Sequence, residues 1–143
     1  MLYHQKPKDY ITEVEVAGCI IEVNGEILLM KRSENSSCPW VWQQPWWKVD
    51  SWENTQQAMI RETYEESGIS IKSWQAKKLF KKYFHFVDLN IAITFYKVSL
   101  QHKPEIILSP DEHNAYVWVT PKDALKMNLI EDFDEILKEV YWL

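Results

Sequence analysis

Asn24-Gly25 separates two aliphatic runs, Val14–Val23 and residues 26–30. The dipeptide is the strongest short-range hairpin signal available, because both turn positions want φ > 0. A polar loop follows over 31–39, then a short strand is expected at 41–44, ended by Pro45. Further β-rich runs lie at 69–74, 79–87 and Leu89–Leu100, with a short strand at 116–119. Helical stretches are expected at 54–67, near 121–127 and near 132–142. Strands and helices are interspersed, with hairpin-like neighbours. The pattern predicts an α+β class, a mixed sheet covered by helices in an α/β/α sandwich.

The stretch from Glu53 to Ile69 carries the chemistry. Asn54 or Thr55 can cap its helix, Gln57 stands where a capping-box partner would, and Gly68 can close the C-terminus. Glu62, Glu65 and Glu66 stand at i, i+3 and i+4, so one helix face carries all three carboxylates. Uncompensated like charges at those spacings cost a helix a few tenths of a kcal/mol per pair. A divalent cation reverses that sign, and magnesium prefers one or two carboxylates with water and phosphate oxygens. Taken alone, three such glutamates also describe a solvated acidic face.

The surrounding order is more specific. Glu53 lies 8 positions before Arg61, Arg61 adjoins Glu62, and Gly68-Ile69 follows Glu65-Glu66. This resembles the Nudix box, in which Gly, five residues, Glu, and seven residues precede Arg-Glu-apolar-any-Glu-Glu-any-Gly-apolar. Thr63 fills the first apolar slot. Trp42-Gln-Gln-Pro45 looks like the strand entering the family's loop, Lys48-Val49 like the residues just inside it, and the likeness runs roughly from residue 13 to 142.

The resemblance implies a Nudix fold and a MutT-like pyrophosphohydrolase. Glu62, Glu65 and Glu66 would coordinate Mg2+, with Mn2+ as a substitute, and the backbone carbonyl at Trp46 would add a ligand. Arg61 would pair with Glu53 to hold loop against helix; on residues alone that pair is equally an ordinary surface ion pair. Lys48 would contact the substrate. The expected reaction is water attack on a nucleoside diphosphate linked to a group X, with a nucleoside triphosphate, oxidised forms included, as the expected substrate. Glu112, in Ser109-Pro-Asp-Glu-His113, is the loop candidate for general base, against the alternative of a solvated turn acid. His85 reads as a structural strand histidine.

One departure stands out. The family loop reads Pro-Gly-Gly-Lys, with a further Gly before the first Glu. This chain has Pro45-Trp46-Trp47-Lys48 and Ser51-Trp52-Glu53, and Trp40 falls on another glycine-favouring loop position. Glycine takes φ > 0 and lets backbone approach metal and phosphate, so strain is expected at these tryptophans. The loop is then rerouted, or its indoles stack on a base or partner, or they are deliberate, engineered substitutions in a natural sequence of this family. Trp74, Trp118 and Trp142 read instead as core or near-core residues.

At 143 residues the chain is expected to form one domain over 1–143. A formal net charge of -5 argues against binding a nucleic-acid polymer, whereas a cation can bridge an acidic protein to a nucleotide. Cys19 and Cys38 make no disulfide framework or zinc pattern. The absence of a signal-like start or a membrane-length apolar run predicts a cytoplasmic protein with no membrane partner; a homodimer is compatible with the pattern. Beside the enzyme stand two other expectations: a Nudix-fold binding protein that has lost turnover, and a plain structural domain.

Overall fold

The computed structural model describes residues 1–86 and 88–143; Val87, the last residue of one expected strand, lies outside them. The strands are β1 (Leu2–Tyr3), β2 (Val14–Val23), β3 (Glu26–Arg32), β4 (Trp42–Gln43), β5 (Trp46–Lys48), β6 (Ala76–Phe86), β7 (Leu89–Leu100) and β8 (His113–Val119). The helices are α1 (Thr55–Ser67), the single turn α2 (Pro121–Ala124) and α3 (Phe133–Tyr141). Strand order is β1-β6-β7-β2-β3-β4, with β5 added to β2 and β8 to β3.

β2 organises the sheet. It runs parallel to β7 over its whole length, from Val14 opposite Ile91 to Val23 opposite Leu100. Asn24 and Gly25 take φ of 49° and 80°, which turns the chain into β3. Only Glu22 and Val23 then pair with β3, at Ile27 and Glu26. The two strands part, and β5 takes the freed edge of β2, placing Trp46, Trp47 and Lys48 opposite Gly18, Ala17 and Val16. β4 and β8 flank β3.

β2 is buried on both faces, as a central strand with a parallel neighbour requires. Ala17, Cys19 and Ile21 face Ala58 and Met59 of α1, together with Leu28, Met30, Tyr96 and Val98. Val16 and Ile20 face the other way, toward Phe95, Ile93 and the α3 residues Phe133, Ile136 and Leu137. Helix, sheet and helix therefore form three layers. Each fully buried aliphatic side chain contributes about 1.5–3 kcal/mol to that arrangement.

The sequence expectations meet this structure unevenly. α1 has the foreseen capping box: Asn54 Oδ1 accepts from the Gln57 amide at 2.8 Å, and Gln57 Oε1 accepts from the Asn54 amide at 2.9 Å. Gly68 ends it at φ 77°, its N–H bonded to the Tyr64 carbonyl. The expected strand at 69–74 is absent. Ile69 and Ile71 are buried without ladder partners, and Ser73–Gln75 forms a 3-10 turn. Burying two isoleucines under α1 satisfies that segment without pairing. β5 and β1 were not foreseen, each being too short to show alternation.

The tryptophan expectations need correcting. Trp46, Trp47 and Trp52 do not take positive φ, the first two because β5 is extended; the expected left-handed strain is absent from all three. Trp40 carries it as expected, at φ 70°, and Trp142 carries it unexpectedly, at φ 57°. Each bears a cost of roughly 1–2 kcal/mol that glycine would not. Trp74 and Trp142 are not core residues, being 82% and 94% exposed. Trp118 does pack against the α1-side core.

Candidate functional site

α1 presents Ala58, Met59, Thr63 and Ser67 to the core. That anchoring turns Glu62, Glu65 and Glu66 toward one rim, beside the chain that descends from β5. Arg61 organises the rim. Its Nε and Nη2 donate to the two oxygens of Glu53, at 3.0 and 2.6 Å. Nη1 donates to Glu62 at 2.7 Å and to Glu65 at 3.0 Å, and Nη2 also reaches Asp50 at 3.2 Å. The Asp50 amide donates to Glu53 Oε1 at 3.1 Å.

The bidentate pair with Glu53 is not the surface ion pair that residues alone allowed. The Glu53 side chain is 1% exposed and that of Arg61 26%, so the carboxylate is removed from water while the guanidinium is half-buried over it. The Arg61 hydrogen bond holds the Glu53 carboxyl below the usual carboxylate range. Glu53 and then Glu62 hold the Arg61 guanidinium charged beyond its ordinary range.

Glu66 differs from its neighbours. Its Oε2 is buried and has no hydrogen-bond partner, while the Ser109 hydroxyl reaches the carboxylate. Burial, then the charge of Glu112, pushes its carboxyl up. Burial likewise raises Glu62 against the opposing pull of Arg61. Glu112 is therefore brought to the α1 carboxylates from the loop before β8. Its backbone is fixed there, since its carbonyl accepts from the Ser33 amide at 3.1 Å and its amide donates to the Ser109 carbonyl at 3.0 Å.

Among the described residues, no three His, Cys, Asp or Glu side chains converge as a ready-made metal cage. Arg61 engages Glu62 and Glu65 instead. The donor set nonetheless fits a hard divalent cation: carboxylate oxygens on adjacent turns, one of them a buried acceptor without a donor. β5 completes the rim. Cys19 donates to the Pro45 carbonyl and Val49 to the Glu15 carbonyl, so Ala17–Trp47 is a hydrogen-bonded pair and Gly18–Trp46 is not. The Trp46 carbonyl thus points away from β2, free of the ladder.

On its other side β5 lines a cleft of about 290 Å³ with Val16, Arg32, Phe86, Leu89 and Ile91. Trp46 meets Phe86 edge-on at 6.0 Å, and Lys48 is an exposed residue of the lining. The Arg61 guanidinium lies 5.5 Å from the exposed Trp52 ring. His85 is exposed, bonded through Nδ1 to Asn90 Oδ1, and takes no part.

The structure therefore gathers Glu53, Arg61, Glu62, Glu65, Glu66 and Glu112 at one rim and sets Trp46 and Lys48 along the adjoining cleft. Sequence reasoning missed Asp50 and Ser109. Asp50 has a faint signal, an acid 3 residues before Glu53. Ser109 has none, because only folding brings it to α1. Arg32, packed among Gln43, Ser37 and the cleft, was also missed.

Comparison with known proteins agrees with this geometry. Residues 12–141 match the family described as NUDIX domain. The CTP pyrophosphohydrolase of Escherichia coli K12 is 30% identical over 118 residues, covering 81% of this chain and 82% of that protein. The solution structure of the Escherichia coli ORF135 protein superposes with a TM-score of 0.77 at 26% identity, covering 96% and 94% of the two chains. The MutT protein of Methanosarcina mazei Go1 gives 0.78 at 25% identity, covering 88% and 91%. No described helix is long and apolar enough to cross a membrane. With box, layered sheet and relatives in agreement, the chain belongs to the Nudix hydrolase family.

Proposed function

We propose that this chain is a magnesium-dependent pyrophosphohydrolase that cleaves a nucleoside diphosphate linked to a group X, with a nucleoside triphosphate, oxidised forms included, as its substrate. The observation that carries the reading is Glu66: a buried, donor-less carboxylate oxygen facing a second acid, Glu112, beside two carboxylates already held by one arginine. The pyrophosphohydrolase activity named for the Escherichia coli relative supports the triphosphate class. Residues 1–143 are read as one domain, since both core clusters share β2 and β3.

Glu62, Glu65, Glu66 and the Trp46 carbonyl would hold the ion. Bound there, magnesium (or manganese) would neutralise phosphate charge and make a bound water more acidic. The protein's own groups do the rest. Arg61 clamps Glu53 and thereby fixes the 45–53 loop against α1. Lys48, exposed on the cleft lining, attracts the phosphates. Glu112 accepts the proton of the attacking water, the raised Glu66 carboxyl sharing the load. The cleft that Trp46 and Phe86 line together offers aromatic surface to a base.

A second reading has one observation in its favour. Indoles fill the loop where backbone should approach phosphate, and this suits a protein that binds nucleotide without turnover. Phosphate and pyrophosphate release across nucleoside triphosphates, oxidised nucleotides, dinucleoside polyphosphates and nucleotide sugars separates the two. Magnesium-dependent release abolished by Glu65→Gln supports the enzyme. Equally low release from both proteins, with nucleotide still bound, leaves the binding reading.

A further inference from the structure

Two helices in this protein end the same way on different residues. α1 closes at Gly68, φ 77°, with the cap N–H bonded to Tyr64 O. α3 closes at Trp142, φ 57° and ψ 41°, with the cap N–H bonded to Lys138 O and the Leu143 amide reaching the same carbonyl at 3.1 Å. Glycine is the residue for this left-handed cap, because a Cβ there crowds the backbone. Trp142 is 94% exposed, so its indole gains almost no packing in return.

Trp40 repeats the pattern. Its amide donates to Arg32 O at 3.1 Å, while the Arg32 amide donates to Val41 O at 2.9 Å. Two residues thus oppose one, with the first left-handed at φ 70°. This is the geometry of a β-bulge whose first position is glycine. Trp46, Trp47 and Trp52 are glycine positions on separate grounds, the register of the box around Glu53 and Arg61. Composition agrees. The chain has 3 glycines and 8 tryptophans, whereas ordinary usage of about 7% glycine would give about ten. Trp42, Trp74 and Trp118 show neither sign: none has a positive φ and none falls on a glycine of the box.

We infer that positions 40, 46, 47, 52 and 142 carry glycine in the working protein, and that the tryptophan written there comes from one codon with two readings. The codon UGA is decoded as tryptophan in some genetic codes and as glycine in others. Two of these sites relieve left-handed backbone. The other three clear indoles from the strand and turn that lead into α1. For catalysis the consequence rests on the function proposed above: glycine at 46 and 47 opens β5 so that its outward backbone groups meet substrate phosphates.

Mass spectrometry of the protein from the cells that own the gene tests the decoding. Glycine at 40, 46 and 47 beside tryptophan at 42, all within the tryptic peptide 33–48, is the expected result. Tryptophan at 40, 46 and 47 overturns the inference. Recombinant variants test the physics. Trp40→Gly with Trp142→Gly should raise Tm by about 5 °C; a lowered Tm counts against it. Trp46→Gly, Trp47→Gly and Trp52→Gly together should raise magnesium-dependent kcat/KM for a nucleoside triphosphate by about tenfold to a hundredfold. Should no form hydrolyse any nucleotide, the proposed function fails, while peptide mass and melting still decide the glycine positions.

Discussion

The helix α1 and the ten residues before it face the same site, yet they obey their sequences differently. In α1 every level agrees. Asn54 and Gln57 cap it, Gly68 ends it, Ala58 and Met59 bury, and the carboxylates are left on the rim. Before α1 the levels conflict. Trp46 and Trp47 enter a strand, the Trp47 indole packs beneath α1, and Trp52 stands in solvent over Arg61. Arg61 joins the two regions through Asp50 and Glu53 on one side and Glu62 and Glu65 on the other. A local sequence consistent with its fold needs no help from outside; an inconsistent one is held by a tertiary clamp.

That contrast can be broken where the effect is largest, at the helix. Glu66→Gln should lower magnesium-dependent hydrolysis by about 10²–10³-fold, the scale of losing one strong stabilising group at the reacting centre, with Tm little changed. Steady-state kinetics beside a melting curve would check both halves. A collapse of Tm would mean that Glu66 serves folding rather than chemistry.

His113 tests the buried polar contact between β8 and β4. Burial, and secondarily the Arg32 charge, lowers its imidazole to about 4, and its Nε2 lies 3.3 Å from Gln43 Nε2. The folded state therefore keeps it neutral, while an unfolded histidine protonates near 6.5. Its contribution is present in full above that value and is lost as pH falls from about 6.5 toward 4, roughly 3 kcal/mol in all. Glu62 and Glu66, raised in the fold, shift the opposite way on acidification. The difference between His113→Gln and the unaltered protein isolates the histidine. Melting curves from pH 7 to 4 should show a shallower acid loss for the variant, and parallel losses would contradict the assignment.

The clamp itself comes next. Arg61→Ala leaves Glu53 charged, buried and unpaired, at a cost of about 2–3 kcal/mol, between the exposed and buried ion-pair scales. Urea denaturation should show it. Loss near zero would mean that the 45–53 loop holds without the arginine. Trp52→Ala should matter least. Its contact with Arg61 is solvent-exposed and is worth about 0.5–1 kcal/mol, so its denaturation midpoint should barely move.

The residues themselves determined α1, its two caps, the Asn24-Gly25 hairpin and the family. These depend on local rules: side chains reaching amides three positions away, φ > 0 at a turn, spacing on a helix face. Tertiary structure decided the remainder. A strand of three residues shows no period, so β5 emerged only once β2 offered an unpaired edge. Ser109 and Glu112 met Glu66 through a chain closure that no local pattern records. The same folding buried the Glu53 carboxylate against Arg61; the box resemblance implied that pairing, but an 8-residue spacing says nothing of its burial. Backbone torsion separated Trp40 and Trp142, which sit at φ > 0, from Trp46, Trp47 and Trp52, which do not. A residue type states which torsions it prefers, whereas only the neighbours it packs and pairs with fix the torsion it takes.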